Sequence, residues 1–211
     1  MTPERTAKFK KVVRERQANL TVILENVHDI HNIGAVLRSC DSIGIREIYV
    51  LYSDPRLNQD ELLLGKRASS GARKWVDVHF FTETKACFTQ VKSRYDKIYG
   101  THLDADAVGM YQMDLTQSIA LLFGNEHEGV SPEALRYCDG NFVIPQVGMV
   151  ESLNISVACA VTLYEAYRQR MQKEMYSTHP TLNEEQQTAL FQTYLERHEL
   201  KAKRKKTKRL N

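Results

Sequence analysis

Short apolar runs alternate with stretches in which apolar residues recur every three or four positions, and this alternation predicts strands and helices in turn. Thr21-Val22-Ile23-Leu24 reads as a strand buried on both faces, and Ile33 to Ile43 as a helix with Ile33, Val36, Leu37 and Cys40 inward, closed by Gly44. Further strands are predicted over Glu47–Tyr52, Trp75–Phe81, Lys97–His102 and Ser118–Phe123, with a helix over 84–93 and another opened by Ser131-Pro132-Glu133. The stretch from Phe142 to Arg170 organises the rest. An apolar run, Phe142 to Pro145, is followed by a loop with Gly148 and then by a long helix carrying Leu153, Ile155, Val157, Val161, Leu163 and Tyr164, apolar all round in its first half. Residues 3–18 and Asn183 to about Leu200 are predicted as flanking helices. Such an order implies an α/β fold with a mostly parallel sheet covered by helices on both faces.

The chain has 211 residues and 42% hydrophobic side chains, enough for one core with extensions. We expect a basic helical N-terminal extension over 1–19, an α/β domain over 20–175 and a helical basic C-terminal extension over 176–211. No run of eighteen apolar residues occurs, and the charged N-terminus does not read as a secretory signal. Four scattered cysteines without a CxxC pair point to a reduced, cytoplasmic protein. The net charge of +3 is unevenly spread: residues 1–19 hold six basic side chains against two acidic ones, and residues 201–211 hold seven against none. Basic ends on an acidic body suit a phosphate backbone as partner, although the last eleven residues could equally be a solubilising tail.

A parallel sheet places ligands at the carboxyl ends of its strands, and four polar loops follow strands: 26–32, 101–104, 124–129 and 146–154. Neither a dinucleotide fingerprint nor a P-loop is present. Glu25, His28 and His31 lack ligand spacing, so no metal is expected. Ser152 and Asn154 can cap the long helix or leave its N–H groups to a ligand. Arg38 can form a salt bridge with Asp41 or Glu126, or grip a phosphate.

Three segments resemble the SpoU branch of the SPOUT RNA 2′-O-methyltransferases: Asn32-Ile33-Gly34-Ala35-Val36-Leu37-Arg38, Leu122 to Val130 with Gly-Asn-Glu-His-Glu-Gly at its centre, and Ile144 to Ala158 with Gly-Met-Val-Glu-Ser-Leu-Asn. The resemblance covers residues 20–172. It implies S-adenosylmethionine as cofactor, held by Thr101, Gly124, Ile144, Met149 and Leu153. Arg38 would be catalytic, with Asn32, Glu126, Ser152 and Asn154 holding the site together. His31, Arg168, Arg170, Arg5, Lys8 and Lys11 would bind RNA. It further implies a deep trefoil knot and a homodimer with its sites near the interface. The wording of the third segment and both terminal extensions resemble the members that act on a tRNA ribose, the D-loop guanosine at position eighteen. A ribosomal-RNA methyltransferase of the same family and a non-catalytic RNA-binding module are the alternatives.

Overall fold

A computed structural model describes residues 2–57, 71–150 and 152–207; for 201–207 only the backbone is described. The Gly65 to Gly71 stretch therefore lies outside the described residues except for Gly71. Seven strands form one sheet: β1 (Leu20–Glu25), β2 (Glu47–Leu51), β3 (Asp77–Phe81), β4 (Lys97–Thr101), β5 (Val108–Gly109), β6 (Ile119–Phe123) and β7 (Gly140–Val143). Their spatial order is β3-β2-β1-β6-β4-β7-β5, and every pairing is parallel. The helices are α1 (Pro3–Arg14), α2 (Ile30–Ser42), α3 (Thr84–Lys92), α4 (Pro132–Leu135), α5 (Ile155–Gln172) and α6 (Glu184–Thr207).

The strand alternation divides the core in two. Leu20, Val22, Leu24, Ile48, Val50, Leu121 and Phe123 pack with Ile33, Val36 and Leu37 of α2 and Ile155, Cys159 and Leu163 of α5. Ile23, Tyr49, Leu51, Ala120 and Leu122 pack on the other face with Cys87, Phe88 and Val91 of α3 and Ala134 of α4. Both faces of β1, β2 and β6 are thus buried, which is why these strands read as continuous apolar runs.

Three sequence expectations are corrected and one strand is added. α2 begins at Ile30, three residues early, because the Asp29 carboxylate accepts from the His31 N–H and caps it. His31 and Asn32 therefore ride in the first turn of a helix. The strand expected from Phe142 to Pro145 is shifted to Gly140–Val143. The two-residue strand β5 was not foreseen, being too short to leave a pattern. Finally, α5 is not buried all round: Val157, Val161, Tyr164 and Met171 face solvent in one stripe.

α1 and α6 pack together through a small third core of Phe9, Val13, Leu182, Leu190 and Tyr194. Two fully buried arginines tie this pair of helices, and the turn after α1, to the sheet. Arg16 donates to the Tyr194 hydroxyl at 2.9 Å, to the Ile45 carbonyl at 3.0 Å and to Asp41 at 2.6 Å. Arg170 of α5 donates to the carbonyls of Leu115 and Gln117 and to the side chains of Gln17 and Asn19. Tyr194 and Arg197 also bond to Trp75 and Asp77 at the start of β3. The extension thus docks at the amino-terminal edge of the sheet.

Candidate active site

The loops after β1, β6 and β7 meet at the opposite, carboxyl-terminal edge. The loop after β6 doubles back tightly. Asn125 Oδ1 accepts from the N–H groups of His127 and Glu128, and Gly129 adopts a left-handed φ of 68°. A Cβ on Gly124 would lie 2.0 Å from the Gly129 carbonyl. Gly124 is therefore required by the folding of its own loop. The loop exit is fixed where Ser131 donates its N–H (2.9 Å) and hydroxyl (2.6 Å) to the Glu25 carboxylate. Burial raises the Glu25 carboxyl above its ordinary range. Asn125 and Glu25 are the site supports that sequence reasoning missed; Glu25 is a buried anchor, not part of a metal cluster. Among the described residues no group of His, Cys, Asp or Glu is arranged to hold a metal ion.

The doubled-back loop presents Glu126 to α2. Asn32 donates its side-chain N–H to the Glu126 carboxylate, and Asn154 donates to Asn32 Oδ1 at 3.2 Å. Asn154 also caps α5, accepting from the Ser156 N–H at 2.9 Å and from its hydroxyl at 2.6 Å. Residues 32, 126 and 154 thus form one connected polar chain, although 94 and 122 positions separate their pairs. Ser152 does not join it: it is exposed and makes no hydrogen bond among the described residues.

The loop from Ile144 to Leu153 hangs over the same edge. Met149 is 100% exposed and Val147 107%, and nothing lies within 4 Å of a Cβ built on Gly148. Among the described residues the backbone N–H groups of Val147, Gly148, Met149 and Val150 donate to no acceptor. An apolar loop with open space and unused donors is suited to enclose a ligand that carries both polar and apolar parts. Thr101 ends β4 nearby, its hydroxyl donating to the Leu122 carbonyl at 3.3 Å.

Arg38 is exposed and has no hydrogen-bond partner among the described residues. Neither expected salt bridge forms, because Asp41 is taken by Arg16 and Glu126 by Asn32. Arg38 lies six residues beyond Asn32, about 9 Å further along α2. It shares a helix face with Ser42, whose hydroxyl sits 3.3 Å from that of Tyr164 on the exposed stripe of α5. Arg38 therefore lies one helical turn from the Ser42–Tyr164 contact at the edge of the stripe, with no ion-pair partner among the described residues.

The candidates for RNA contact divide. His31, Arg5, Lys8 and Lys11 are exposed. Arg168 is half exposed and paired with Glu165 at 2.7 Å. Arg170 is excluded: it is 0% exposed, its donors are spent on protein acceptors, and burial pulls its guanidinium down to about 10.

The SpoU rRNA Methylase family matches residues 19–164, a span that holds all three meeting loops. The chain belongs to this family. Over 178 residues it is 41% identical to the tRNA (guanosine(18)-2'-O)-methyltransferase of Thermus thermophilus, covering 83% of this chain and 88% of that protein. The structure of the Aquifex aeolicus TrmH/SpoU tRNA modifying enzyme superposes with a TM-score of 0.78 at 33% identity, covering 90% of this chain and 94% of that one. The SpoU methyltransferase AviRb of Streptomyces viridochromogenes, solved in complex with the cofactor AdoMet, gives a TM-score of 0.65 at 27% identity over 75% of this chain and 61% of its own.

Proposed function

We propose that this chain is an S-adenosylmethionine-dependent methyltransferase that modifies the 2′-hydroxyl of a tRNA ribose, that of the guanosine at position 18. The observation that carries this reading is the Asn32–Glu126–Asn154 chain, which joins the three family segments at one edge of the sheet. The substrate follows from the 41% identity to a methyltransferase that bears that activity in its name.

Thr101, Gly124, Ile144, Met149 and Leu153 would hold the cofactor, mainly through backbone groups of the open loop. When bound, it supplies an electrophilic methyl on a sulfonium. The protein's task is then to align the ribose and manage the proton of its hydroxyl. A guanidinium stays protonated in water. Arg38, fixed by a neighbouring RNA phosphate, polarises the 2′-hydroxyl or briefly accepts its proton, which passes on to solvent as the oxygen takes the methyl. Asn32, Glu126 and Asn154 keep the two helix starts and the loop in register.

The partner is tRNA, held by His31, Arg168, Arg5, Lys8 and Lys11, and the assembly is a homodimer whose contact runs along the exposed stripe of α5. The position of Arg38 beside that stripe supports sites near the interface. A deep trefoil knot is supported by β7, a late strand inserted between β4 and β5. The cytoplasm is the compartment, in keeping with four free cysteines.

Incubation of the protein with a tRNA transcript or with ribosomal RNA, using methyl-labelled S-adenosylmethionine, followed by mapping of ribose methylation, tests the reading. Label at guanosine 18 of tRNA is expected. Label in ribosomal RNA alone would move the substrate within the family, and cofactor binding without transfer to either RNA would make the protein a binding module.

A further inference from the structure

The basic extension and the candidate site sit at opposite ends of the same protomer. Asn154, at the start of α5, belongs to the site, whereas Arg170, sixteen residues on, is bonded to Gln17 and Asn19 at the foot of the extension. At 1.5 Å per residue the two are about 24 Å apart along α5. An RNA held by α1 of one protomer has to cross the full height of the sheet to reach the site of that same protomer.

The exposed stripe of α5 offers a shorter path. Val157, Val161, Tyr164 and Met171 recur at intervals of four, three and seven residues, the spacing of a helix seam, and all four are exposed. A self-complementary contact between two copies must have a two-fold axis. An axis crossing α5 at Tyr164, midway along the stripe, sets Val157 against the partner's Met171 and reverses one helix relative to the other. A parallel pairing would instead bring the two basic extensions side by side, with six basic side chains against two acidic ones in each residue 1–19 segment. Like charges at that density repel. The antiparallel pairing separates them and turns each toward the other protomer's body, where acidic side chains are in excess.

We infer that the extension acts in trans: α1 of one protomer grips the RNA whose ribose lies in the site of the other. The inference rests on the dimer and RNA reading above. Lys8, Lys10 and Lys11 are the gripping residues. All three are exposed, and among the described residues only Lys11 has a side-chain partner, a 3.9 Å pairing with Glu15.

The experiment uses two full-length variants with different tags, co-expressed and purified through both tags as a heterodimer. One carries Lys8→Glu, Lys10→Glu and Lys11→Glu; the other carries Glu126→Ala and Asn154→Ala. Each homodimer should be defective on a tRNA transcript, the first through a KM raised about tenfold or more by the loss of phosphate contacts. In the heterodimer the intact site faces the intact extension of its partner, so about half of wild-type activity should return, one working site in two. A heterodimer no more active than the sum of the two homodimers would overturn trans action while leaving the dimer intact. A monomer by light scattering would overturn it together with the dimer reading.

Discussion

Asn154 donates its side-chain amide to Asn32 across 3.2 Å while its carbonyl oxygen caps α5, so one side chain fixes both the start of a helix and its alignment with another. These two tasks can be separated. Asn154→Asp keeps a capping oxygen but has no N–H for Asn32. Asn154→Ala loses both, and should lower stability by about 1 kcal/mol through the missing cap. We expect the Asp variant to melt close to wild type yet to lose methyl transfer along with the Ala variant. Melting curves and a methylation assay on the same preparations check this. An Asp variant with full transfer would show that the link to Asn32 has no part in the site.

Among the described residues Arg38 has no hydrogen-bond or ion-pair partner to lose, so its removal should be silent for folding. Arg38→Ala is expected to change stability by less than about 0.5 kcal/mol. Calorimetry should find cofactor binding unchanged, because Arg38 is not among the residues proposed to hold the cofactor. Methyl transfer should fall by about 10²-fold or more, the usual loss when a group that manages proton or charge at the reacting atom is deleted. Undiminished transfer would remove Arg38 from the mechanism.

The sheet was legible because its central strands are buried on both faces and leave unbroken apolar runs such as Thr21 to Leu24. The three site segments were legible through their wording and their positions after strands. What could not be read is what depends on distant chain. Arg170 looks like a solvated helix end, yet its acceptors come from residues 17–19 and 115–117, brought to it only by the fold. Arg38 looked able to pair with Asp41, but Arg16 arrives first from outside the helix. The stripe on α5 contains the same residue types as its buried face, so composition cannot distinguish a surface left for another chain from a core.

Arg170 is a structural clamp, and its loss should be felt in stability. Its guanidinium donates to Leu115 (2.9 Å), Gln117 (2.8 Å), Gln17 (2.9 Å) and Asn19 (2.6 Å), all acceptors inside the protein. Removing it strands several buried acceptors at once. Arg170→Ala should cost about 3–5 kcal/mol, in the range for breaking a buried charged network. Arg170→Lys should recover only part of this, since an ammonium lacks the planar fork. Denaturant unfolding measures the loss. The surviving folded fraction, assayed well below its melting temperature, should bind tRNA as wild type does; weakened binding there would return Arg170 to the RNA surface.

Glu47 sets an acid limit on stability. Burial pushes its carboxyl up, but hydrogen bonds from His79 and Arg94, the Arg94 charge and the Tyr49 hydroxyl outweigh burial and hold it well below the ordinary carboxylate range. The contacts are 3.1 Å from His79, 2.6 Å from Arg94, 2.9 Å from Tyr49 and 3.0 Å from Tyr95. A carboxylate depressed in the folded state adds stability that is fully present above its unfolded pKa, about 4.3, and fades as the pH falls below it. Glu47→Gln should therefore be clearly less stable than wild type at pH 7, with the gap beginning to narrow below about pH 4 and still narrowing as the pH falls further. Urea titrations across that range check the sign. A gap that stayed constant would mean that shape, not charge, holds the cluster.

Two glycines of the family segments should respond in opposite ways to the same added methyl. At Gly124 a Cβ meets the Gly129 carbonyl carbon and oxygen at 2.0 Å and the Val130 nitrogen at 2.2 Å, all backbone atoms that cannot move without opening the loop. Gly124→Ala should thus cost about 2–4 kcal/mol, as overpacking against fixed atoms does, and should displace Glu126 from Asn32. At Gly148 there is open space and an ordinary backbone, so Gly148→Ala should leave the melting temperature unchanged. Its methyl would instead occupy room in the loop that is to receive the cofactor. A weaker S-adenosylmethionine affinity by calorimetry, with folding intact, is the expected result for Gly148→Ala. Unaltered affinity would show that the ligand does not approach that side of the loop, and the cofactor contact would then have to come from Ile144, Met149 and Leu153 on this segment.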